Sequence, residues 1–259
     1  MLNVSNSKYE TTGESKFFGT RTVWRIRATK DFSDIKAGDF GGFIECEKNL
    51  DEEGDCWIYD NSIVAHDARV YGDAKIMDAS KIADSAKVYG KSIIKSSCVC
   101  DYSEIYDNAV IGPRCNVGNL SKIGGNAKIS NIVTIYGNAT IVGSPIIKDY
   151  VIIGGSVKIY GNGTISKSAI GGAGSFLGNY NIIKNKDYLY INNVFGPNKD
   201  ITAYRSILDG IIVVYEMKKY NLQDFEKYMK KNLQNEDQLA EFKIVIELIK
   251  QKIPYIGEE

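Results

Sequence analysis

The middle of the chain carries an isoleucine or valine at every sixth position. Nineteen such positions run from Ile58 to Ile165, with a single five-residue step between Ile94 and Val99. An amphipathic helix repeats its apolar face every 3.6 residues and an amphipathic strand every 2, so neither explains this spacing. A six-residue repeat is typical of a hexapeptide β-helix, in which each hexad forms one side of a triangular coil. The ladder consists of Ile58, Val64, Val70, Ile76, Ile82, Val88, Ile94, Val99, Ile105, Ile111, Val117, Ile123, Ile129, Ile135, Ile141, Ile147, Ile153, Ile159 and Ile165.

The residue two positions before each member of this ladder is nearly always small, mostly Ala, Ser or Cys. Side chains alternate along a strand, so these residues also point inward, where a narrow prism has room only for small groups. The same rule places the five-residue step, because an inward Ile94 takes Ser92 inside whereas an inward Ile93 would bury Lys91. Nineteen hexads predict a mainly β fold, a parallel β-helix of roughly six coils and ~30 Å length. Hexapeptide prisms of this kind wind left-handed, an exception to the usual right-handed crossover, so a left-handed parallel β-helix is expected.

We expect three parts along the chain. Residues 1–57 form an N-terminal β-rich cap, since an open solenoid end exposes unpaired strands. Residues 58–178 form the β-helix, and the glycine-rich stretch Gly171–Gly178 is expected to be a linker at its end. Residues 179–259 form a small α+β module.

The C-terminal module is predicted from its local patterns. Three segments are typical of strands: Tyr188–Val194, Asp200–Ser206 and Gly210–Glu216. Asn221 is a suitable N-cap for a first helix, and a second helix runs from about Glu236 and ends before Pro254. The apolar stripes of these helices are Leu222, Phe225, Met229 and Leu233, then Leu239, Phe242, Val245, Ile246 and Ile249.

Composition excludes several function classes. The 259 residues contain 32 Lys and Arg and 32 Asp and Glu, and this balance argues against a chain-wide surface for nucleic acid. The apolar runs are too short to cross a membrane, and no apolar signal region opens the sequence. Five cysteines are too few for a disulfide scaffold, which favours a reducing cytoplasm. A single histidine excludes His-rich zinc sites.

Two sets of motifs carry a resemblance to known families. The six-residue ladder resembles the hexapeptide-repeat acyltransferase superfamily. Trp24–Arg27, Lys36–Glu45 and Asn49–Asp60 together look like a narrower group, the phage- and prophage-encoded β-helix proteins that are often described as transferases. Tyr204–Glu216 followed by Phe225-Glu226 resembles a terminal module found in some of them. The superfamily implies acyl-CoA bound along a groove between subunits, a histidine base and side-by-side trimers.

His66 is the candidate catalytic residue if the protein is a transferase. It lies two residues after Val64, and one coil later the same station holds Asp84, followed by Asp101 and Asn119. A carboxylate one coil away from an imidazole can raise the pKa of the imidazole or hold the ring in one tautomer, as a general base requires. The alternative is a solvent-exposed polar ladder without chemistry, since exposed contacts of this kind are weak.

Tyr71, Tyr89 and Tyr106 are the candidate binding residues. Each follows the inward residue of the same side in three successive coils, so their rings should stack on the outside of the prism. Such a ladder can contact a partner, a sugar or a base, or it can serve only to stabilise the solenoid. The preceding column has mixed charge, from Arg69 and Lys87 to Glu104, so nucleic-acid binding there is not expected.

No metal site and no cofactor are predicted. Cys98 and Cys100 both point outward, but no second cluster of cysteine or histidine accompanies them.

The sequence leaves three hypotheses for function. The preferred one is a non-enzymatic binding or interaction protein of a phage or prophage that acts on a host factor. The alternative is an acyltransferase with a coenzyme A thioester as substrate and His66 as general base. A structural spacer or polymer-forming element is the third. For partners we expect an unidentified host protein or further copies of the chain, with a trimer favoured.

Overall fold

The computed structural model of the protein describes residues 7–172, 174–178, 180–182, 187–197, 199–206, 208–233 and 235–253. Within these residues the main feature is a three-sided parallel β-solenoid of about seven turns. Antiparallel strands precede it, and a small antiparallel sheet with two helices follows it. The predicted mainly β fold with a β-helix and a small C-terminal α+β part is confirmed. Neither helix of the described chain has the length and apolar character that a membrane crossing requires.

The three sides of the solenoid, called faces 1, 2 and 3 in chain order, are parallel sheets of short strands. Face 1 is built from Phe40–Ile44, Ile63–Val64, Lys81–Ile82, Cys98–Val99, Cys115–Val117, Val133–Ile135, Val151–Ile153 and Ala169–Ile170. Face 2 is built from Arg69–Val70, Lys87–Val88, Glu104–Ile105, Lys122–Ile123, Thr140–Gly143, Lys158–Gly161 and Ser175–Gly178. Face 3 is built from Trp57–Ile58, Lys75–Met77, Ile93–Lys95, Val110–Ile111, Lys128–Ser130, Ile146–Lys148, Thr164–Ser166 and Asn181–Ile182.

The predicted inward ladder forms the core of the solenoid. All nineteen Ile and Val positions are buried, and so are the small residues two positions before them. Across the five-residue step the register is kept, because Val99 pairs with Ile82 on one side and Val117 on the other. The turn in this step is one residue shorter than the turns of the six-residue steps. It contains Ser96, whose backbone is in the left-handed region with a φ of 44°.

The ladder extends further than the six-residue spacing predicts. Ile44 pairs with Val64 and Leu50 bridges to Val70, although eight residues separate Leu50 from Ile58. At the other end Ile170 follows Ile165 after five residues, and Phe176 and Ile182 continue in steps of six. The added positions give about seven turns in place of the roughly six predicted.

The expectation that Gly171–Gly178 is a linker is wrong. Its second half, Ser175–Gly178, is a strand of face 2 and pairs in parallel with Lys158–Gly161. The glycines suggested a linker, but Phe176 supplies the inward side chain, and the strand hydrogen bonds of the coil continue through Gly178.

The N-terminal cap covers the first coil of the solenoid. Strands Tyr9–Phe18 and Arg21–Ala28 form an antiparallel pair, and Arg21–Ala28 is also antiparallel to Phe40–Ile44. Phe40–Ile44 then pairs in parallel with the next strand of face 1, so the cap and the solenoid share one continuous sheet. Lys8 is buried beneath this cap, where its Nζ donates hydrogen bonds to the carbonyls of Asp51 and Gly54.

The C-terminal module covers the other end. Its antiparallel sheet contains the three predicted strands, as Tyr188–Ile191, Ile201–Ser206 and Gly210–Tyr215, and a fourth, Lys218–Asn221, that was not predicted. Tyr204, Ile212 and Val214 of this sheet join the core of the solenoid.

Two helices cover the opposite face of this sheet. Helix α1 (Leu222–Asn232) begins at the predicted N-cap, because the Asn221 side chain accepts a hydrogen bond from the Asp224 N–H. Helix α2 (Glu236–Lys252) buries most of its predicted stripe, but Leu239 is 37 % exposed. Pro254, proposed to end this helix, lies outside the described residues.

Candidate functional site

His66 lies at the corner between faces 1 and 2. Its backbone is in the left-handed region, with a φ of 59°, and the residues at the same station of the next coils share this conformation. Asp and Asn tolerate it better than other non-glycine residues, which explains why Asp84, Asp101 and Asn119 follow His66 there. We call these four residues the corner column.

Each side chain of the corner column accepts a backbone hydrogen bond from the following coil. Asp84 Oδ2 accepts the N–H of Asp101 at 3.2 Å, and Asp101 Oδ2 accepts that of Asn119 at 2.6 Å. Asn119 Oδ1 accepts the N–H of Gly137 at 3.1 Å. His66 makes the same contact, since its Nδ1 lies 3.2 Å from the N–H nitrogen of Asp84. The column therefore satisfies amide groups that the solenoid's corners leave outside its sheets.

The His66–Asp84 contact admits two protonation patterns. Nδ1 of His66 also lies 3.3 Å from Asp84 Oδ1. When the neutral ring accepts the Asp84 amide proton at Nδ1, its own proton is on Nε2, and Nε2 then has no lone pair for a base. Base catalysis at Nε2 needs the other tautomer, in which Nδ1–H donates to the Asp84 carboxylate and faces the amide N–H. The hydrogen-bond pattern of the column favours the first tautomer.

The N-terminal cap reaches His66, a contact that sequence reasoning missed. The Phe18 ring lies 6.0 Å from the imidazole, centroid to centroid. Glu45 Oε2 accepts the backbone N–H of His66 at 2.7 Å, and Glu45 Oε1 lies 3.2 Å from Arg21 Nη1. Because these contacts come from residues 21 and more positions away in the sequence, no local motif indicates them.

The three predicted tyrosines lie side by side on face 2. The rings of Tyr71 and Tyr89 are 4.7 Å apart and within 4° of parallel, and those of Tyr89 and Tyr106 are 5.7 Å apart at 17°. The Tyr106 ring ends the stack over Gly124, where a Cβ would lie 2.1 Å from the ring. We call this set the tyrosine ladder.

The hydroxyl of Tyr89 is held by an acid on the same face. It donates to Glu104 Oε2 at 3.4 Å, and Glu104 also pairs with Lys122 at 3.5 Å. Burial, followed by the negative charge of Glu104, raises the pKa of Tyr89 to about 12. A phenol with the ordinary pKa near 10 is already neutral at physiological pH, and the raised pKa of Tyr89 extends the neutral range to higher pH.

A pocket of about 450 Å³ lies at the N-terminal end of the tyrosine ladder. One wall comes from face 2 and the other from a short 3-10 helix, Glu47–Asn49, which the Leu50–Val70 bridge brings alongside. The lining residues are Lys48, Asp51, Arg69, Val70, Tyr71 and Lys87. The ladder is evident from the spacing of the tyrosines, but the pocket is not, because Lys48 joins it only through the folding of the first coil.

A second group of candidate ligand atoms lies on the corner column. Asp84, Cys100 and Asp101 place their side-chain donors within 4.8 Å of one another, whereas Cys98 is not part of the group. Burial and the charge of Asp101 raise the pKa of the Cys100 thiol to about 11, which opposes the thiolate form that binds metals. Both carboxylates already accept backbone hydrogen bonds.

Comparison with known proteins gives one partial likeness. No known family profile matches the chain. Over 66 residues it is 39 % identical to an uncharacterized acetyltransferase, YdcK, of Escherichia coli strain K12. The match covers 22 % of this chain and 20 % of YdcK, so the chain spans about a fifth of that protein's length. This likeness and the parallel β-solenoid both fit the left-handed β-helix family that the six-residue ladder resembles. An origin in a phage or prophage stays a prediction.

Proposed function

We propose that the protein is a non-enzymatic binding or interaction protein, encoded by a phage or prophage, whose contact surface is the tyrosine ladder. The observation that supports it is the stack of half-buried rings on the outside of face 2. Stacked tyrosines present a rigid, amphipathic surface that loses little conformational entropy on binding. A protein of the bacterial host is the partner that this function implies.

The corner column supports the same proposal because its hydrogen bonds give His66 a structural role. In the tautomer that the column favours, the one lone pair of the neutral His66 ring is on Nδ1, where it accepts the Asp84 amide as the equivalent carboxylates accept theirs. His66 then has the role of a corner residue of the solenoid, and of the two candidate sites the tyrosine ladder is the one that this proposal uses.

Capture from a bacterial lysate tests the proposal. The captured partner is titrated against wild type, Tyr89→Ala and Tyr136→Ala, a matched tyrosine that is 46 % exposed on face 1. Tyr89→Ala should weaken binding about 5-fold or more, the equivalent of about 1 kcal/mol, and Tyr136→Ala should not. Equal affinity of all three proteins, all of them folded, would exclude the ladder as the contact surface.

An acyltransferase is the second candidate, favoured by the partial likeness to an acetyltransferase. In this function His66 acts as general base, Asp84 orients its ring, and a coenzyme A thioester is the acyl donor. A rise in melting temperature with acetyl-CoA, together with thioester turnover, would support it. His66→Ala should then lower the rate by about 10²–10⁴-fold with little change in coenzyme A affinity.

We also propose that the chain associates with itself, with a trimer favoured over a dimer. Flat repetitive faces offer extended surfaces for copies of the same chain. Light scattering at micromolar concentration tests this directly. A species of 28.7 kDa, the mass of one chain, would exclude it.

A further inference from the structure

We infer that the N-terminal end of the tyrosine ladder is a binding site for a phosphorylated nucleoside, with the base stacked on Tyr71 and the phosphates held by Lys48, Arg69 and Lys87. The inference rests on the proposed function, in which the ladder is a binding surface, and it names the ligand class for one end of it.

The stack of rings is incomplete at this end. Tyr71 rests on Tyr89 at 4.7 Å, but the preceding coil has Asp51 at the tyrosine station, directly after Leu50. The pocket occupies the space beside Tyr71 and Asp51. A flat base placed there continues the stack, and stacking on an aromatic side chain suits every nucleobase because each has a π-face.

Three cations and one acid, Asp51, line the pocket, so its lining carries an excess of positive charge. Among the described residues, the side chains of Lys48, Arg69 and Lys87 form no ion pair, whereas Lys122, further along the same face, is paired with Glu104. Arg69 and Lys87 are direct cross-strand partners, so two like charges lie one rung apart. Phosphate oxygens would neutralise these positive charges and accept charge-assisted hydrogen bonds. The planar guanidinium of Arg69 can donate two such bonds to one phosphate.

The extent of the positive charge favours a mononucleotide over a nucleic-acid strand. The position after Lys87 in the column is Glu104, so a strand that follows the face would meet a carboxylate at the next rung. A volume of about 450 Å³ lies in the range of small-molecule sites. The same chemistry occurs in free nucleotides and in the nucleotide part of coenzyme A.

Calorimetric titration of the full chain tests the site with defined probes. ADP and adenosine 3′,5′-bisphosphate should bind saturably, while adenosine and pyrophosphate alone should bind about 10-fold more weakly or worse. Binding should weaken as NaCl is raised, because the cations are exposed. Titrations with acetyl-CoA and pantetheine distinguish a free nucleotide from coenzyme A as the ligand. Comparable affinities for ADP and acetyl-CoA indicate a free nucleotide, and acetyl-CoA binding much more tightly, with pantetheine inactive, indicates the coenzyme.

The ADP affinities of substituted proteins test where the ligand binds. Tyr71→Ala and Arg69→Gln should each lower ADP affinity about 10-fold, and Tyr71→Phe should retain it because the ring remains. Tyr136→Ala and Lys128→Ala, exposed residues of faces 1 and 3, should bind ADP as wild type does. Arg69 is exposed, so Arg69→Gln stays informative even if Tyr71→Ala unfolds.

Two results would overturn the inference: no saturable binding of any phosphorylated nucleoside at millimolar concentration, or binding that ignores both Tyr71 and Arg69. If nucleotides fail but Tyr89→Ala still abolishes partner capture, only this inference fails. If ADP binds through Tyr71 while capture is insensitive to Tyr89→Ala, only the proposed partner-binding function fails.

Discussion

The corner column and the tyrosine ladder arise from the same repeat but use their side chains in different ways. In the corner column, His66, Asp84 and Asp101 accept backbone hydrogen bonds from the following coil, so their polar atoms belong to the scaffold. In the tyrosine ladder the contacts run from ring to ring. Regular spacing alone therefore does not distinguish a structural column from a binding surface, whereas the partners of each side chain do.

The difference extends to charge. The carboxylates of the corner column lie against amide dipoles, and Glu104 beside the ladder is paired with Lys122. At the N-terminal end of the ladder, Lys48, Arg69 and Lys87 form no ion pair among the described residues and outnumber the one acid, Asp51, that lines the pocket with them. A ligand that supplies negative charge gains most at that end.

The largest effect is expected from a substitution in the buried core of the solenoid, the scaffold that both columns share. Ile123→Asp places a carboxylate without a partner in the buried ladder and should lower the free energy of unfolding by at least about 3 kcal/mol. Lys122→Ala, at the adjacent outward position, should cost within ~0.5 kcal/mol because its ion pair is exposed. Urea unfolding measures both. Equal destabilisation by the two variants would contradict the assigned inward face.

A smaller effect tests the corner column alone. Asp101→Ala removes the acceptor of the Asn119 amide and places alanine at a φ of 59°, so it should cost about 1–2 kcal/mol. Asp101→Asn keeps a side-chain oxygen and tolerates the same backbone, so its cost should stay within ~0.5 kcal/mol. Urea unfolding of the two variants gives the comparison, and an equal loss in both would show that the charge, not the hydrogen bond, matters.

The pH dependence of stability tests the ladder. Burial raises the pKa of Tyr89 to about 12, above the value near 10 of an unfolded chain. The unfolded chain therefore releases this proton first, and the stabilisation is complete below pH 10 and is lost as the pH rises towards 12. Tyr89→Phe should have a shallower fall in unfolding free energy from pH 9 to pH 11.5. Parallel curves for the two proteins would mean that the Tyr89 hydroxyl plays no part.

Sequence spacing predicted the solenoid well because a six-residue repeat and small inward neighbours are physical requirements of a narrow triangular prism. The spacing failed to predict the two ends of the solenoid, where the chain does not have to keep the six-residue repeat. Leu50 lies eight residues before Ile58, and Phe176 replaces the usual Ile or Val. The last coil also packs against a separate sheet that supplies Tyr204, so its residues follow the shape of that interface.

The candidate site was only half predictable for a similar reason. Stacking of Tyr71 on Tyr89 follows from equal stations in successive coils, which the sequence shows directly. The placement of Phe18 over His66 and of Lys48 beside Tyr71 depends on the fold of the N-terminal cap and the first coil. These contacts join residues that share no repeat, so no spacing rule contains them.

The smallest expected effect decides between the two roles of His66. Asparagine occupies the same station at Asn119, where its Oδ1 accepts the amide of the following coil. His66→Asn should therefore keep the hydrogen bond to the Asp84 N–H and change the unfolding free energy by less than ~0.5 kcal/mol. His66→Ala loses that acceptor and should cost about 1 kcal/mol.

The same pair of variants answers the catalytic question, because the two roles predict different patterns. A corner residue is rescued by asparagine in stability and leaves partner binding unchanged in both variants. A general base is not rescued, since asparagine has no titratable nitrogen, and both variants would lose thioester turnover about 10²-fold or more. Turnover by the wild type that disappears equally in His66→Asn and His66→Ala, with His66→Asn as stable as wild type, would establish catalysis and overturn the purely structural role of the corner column.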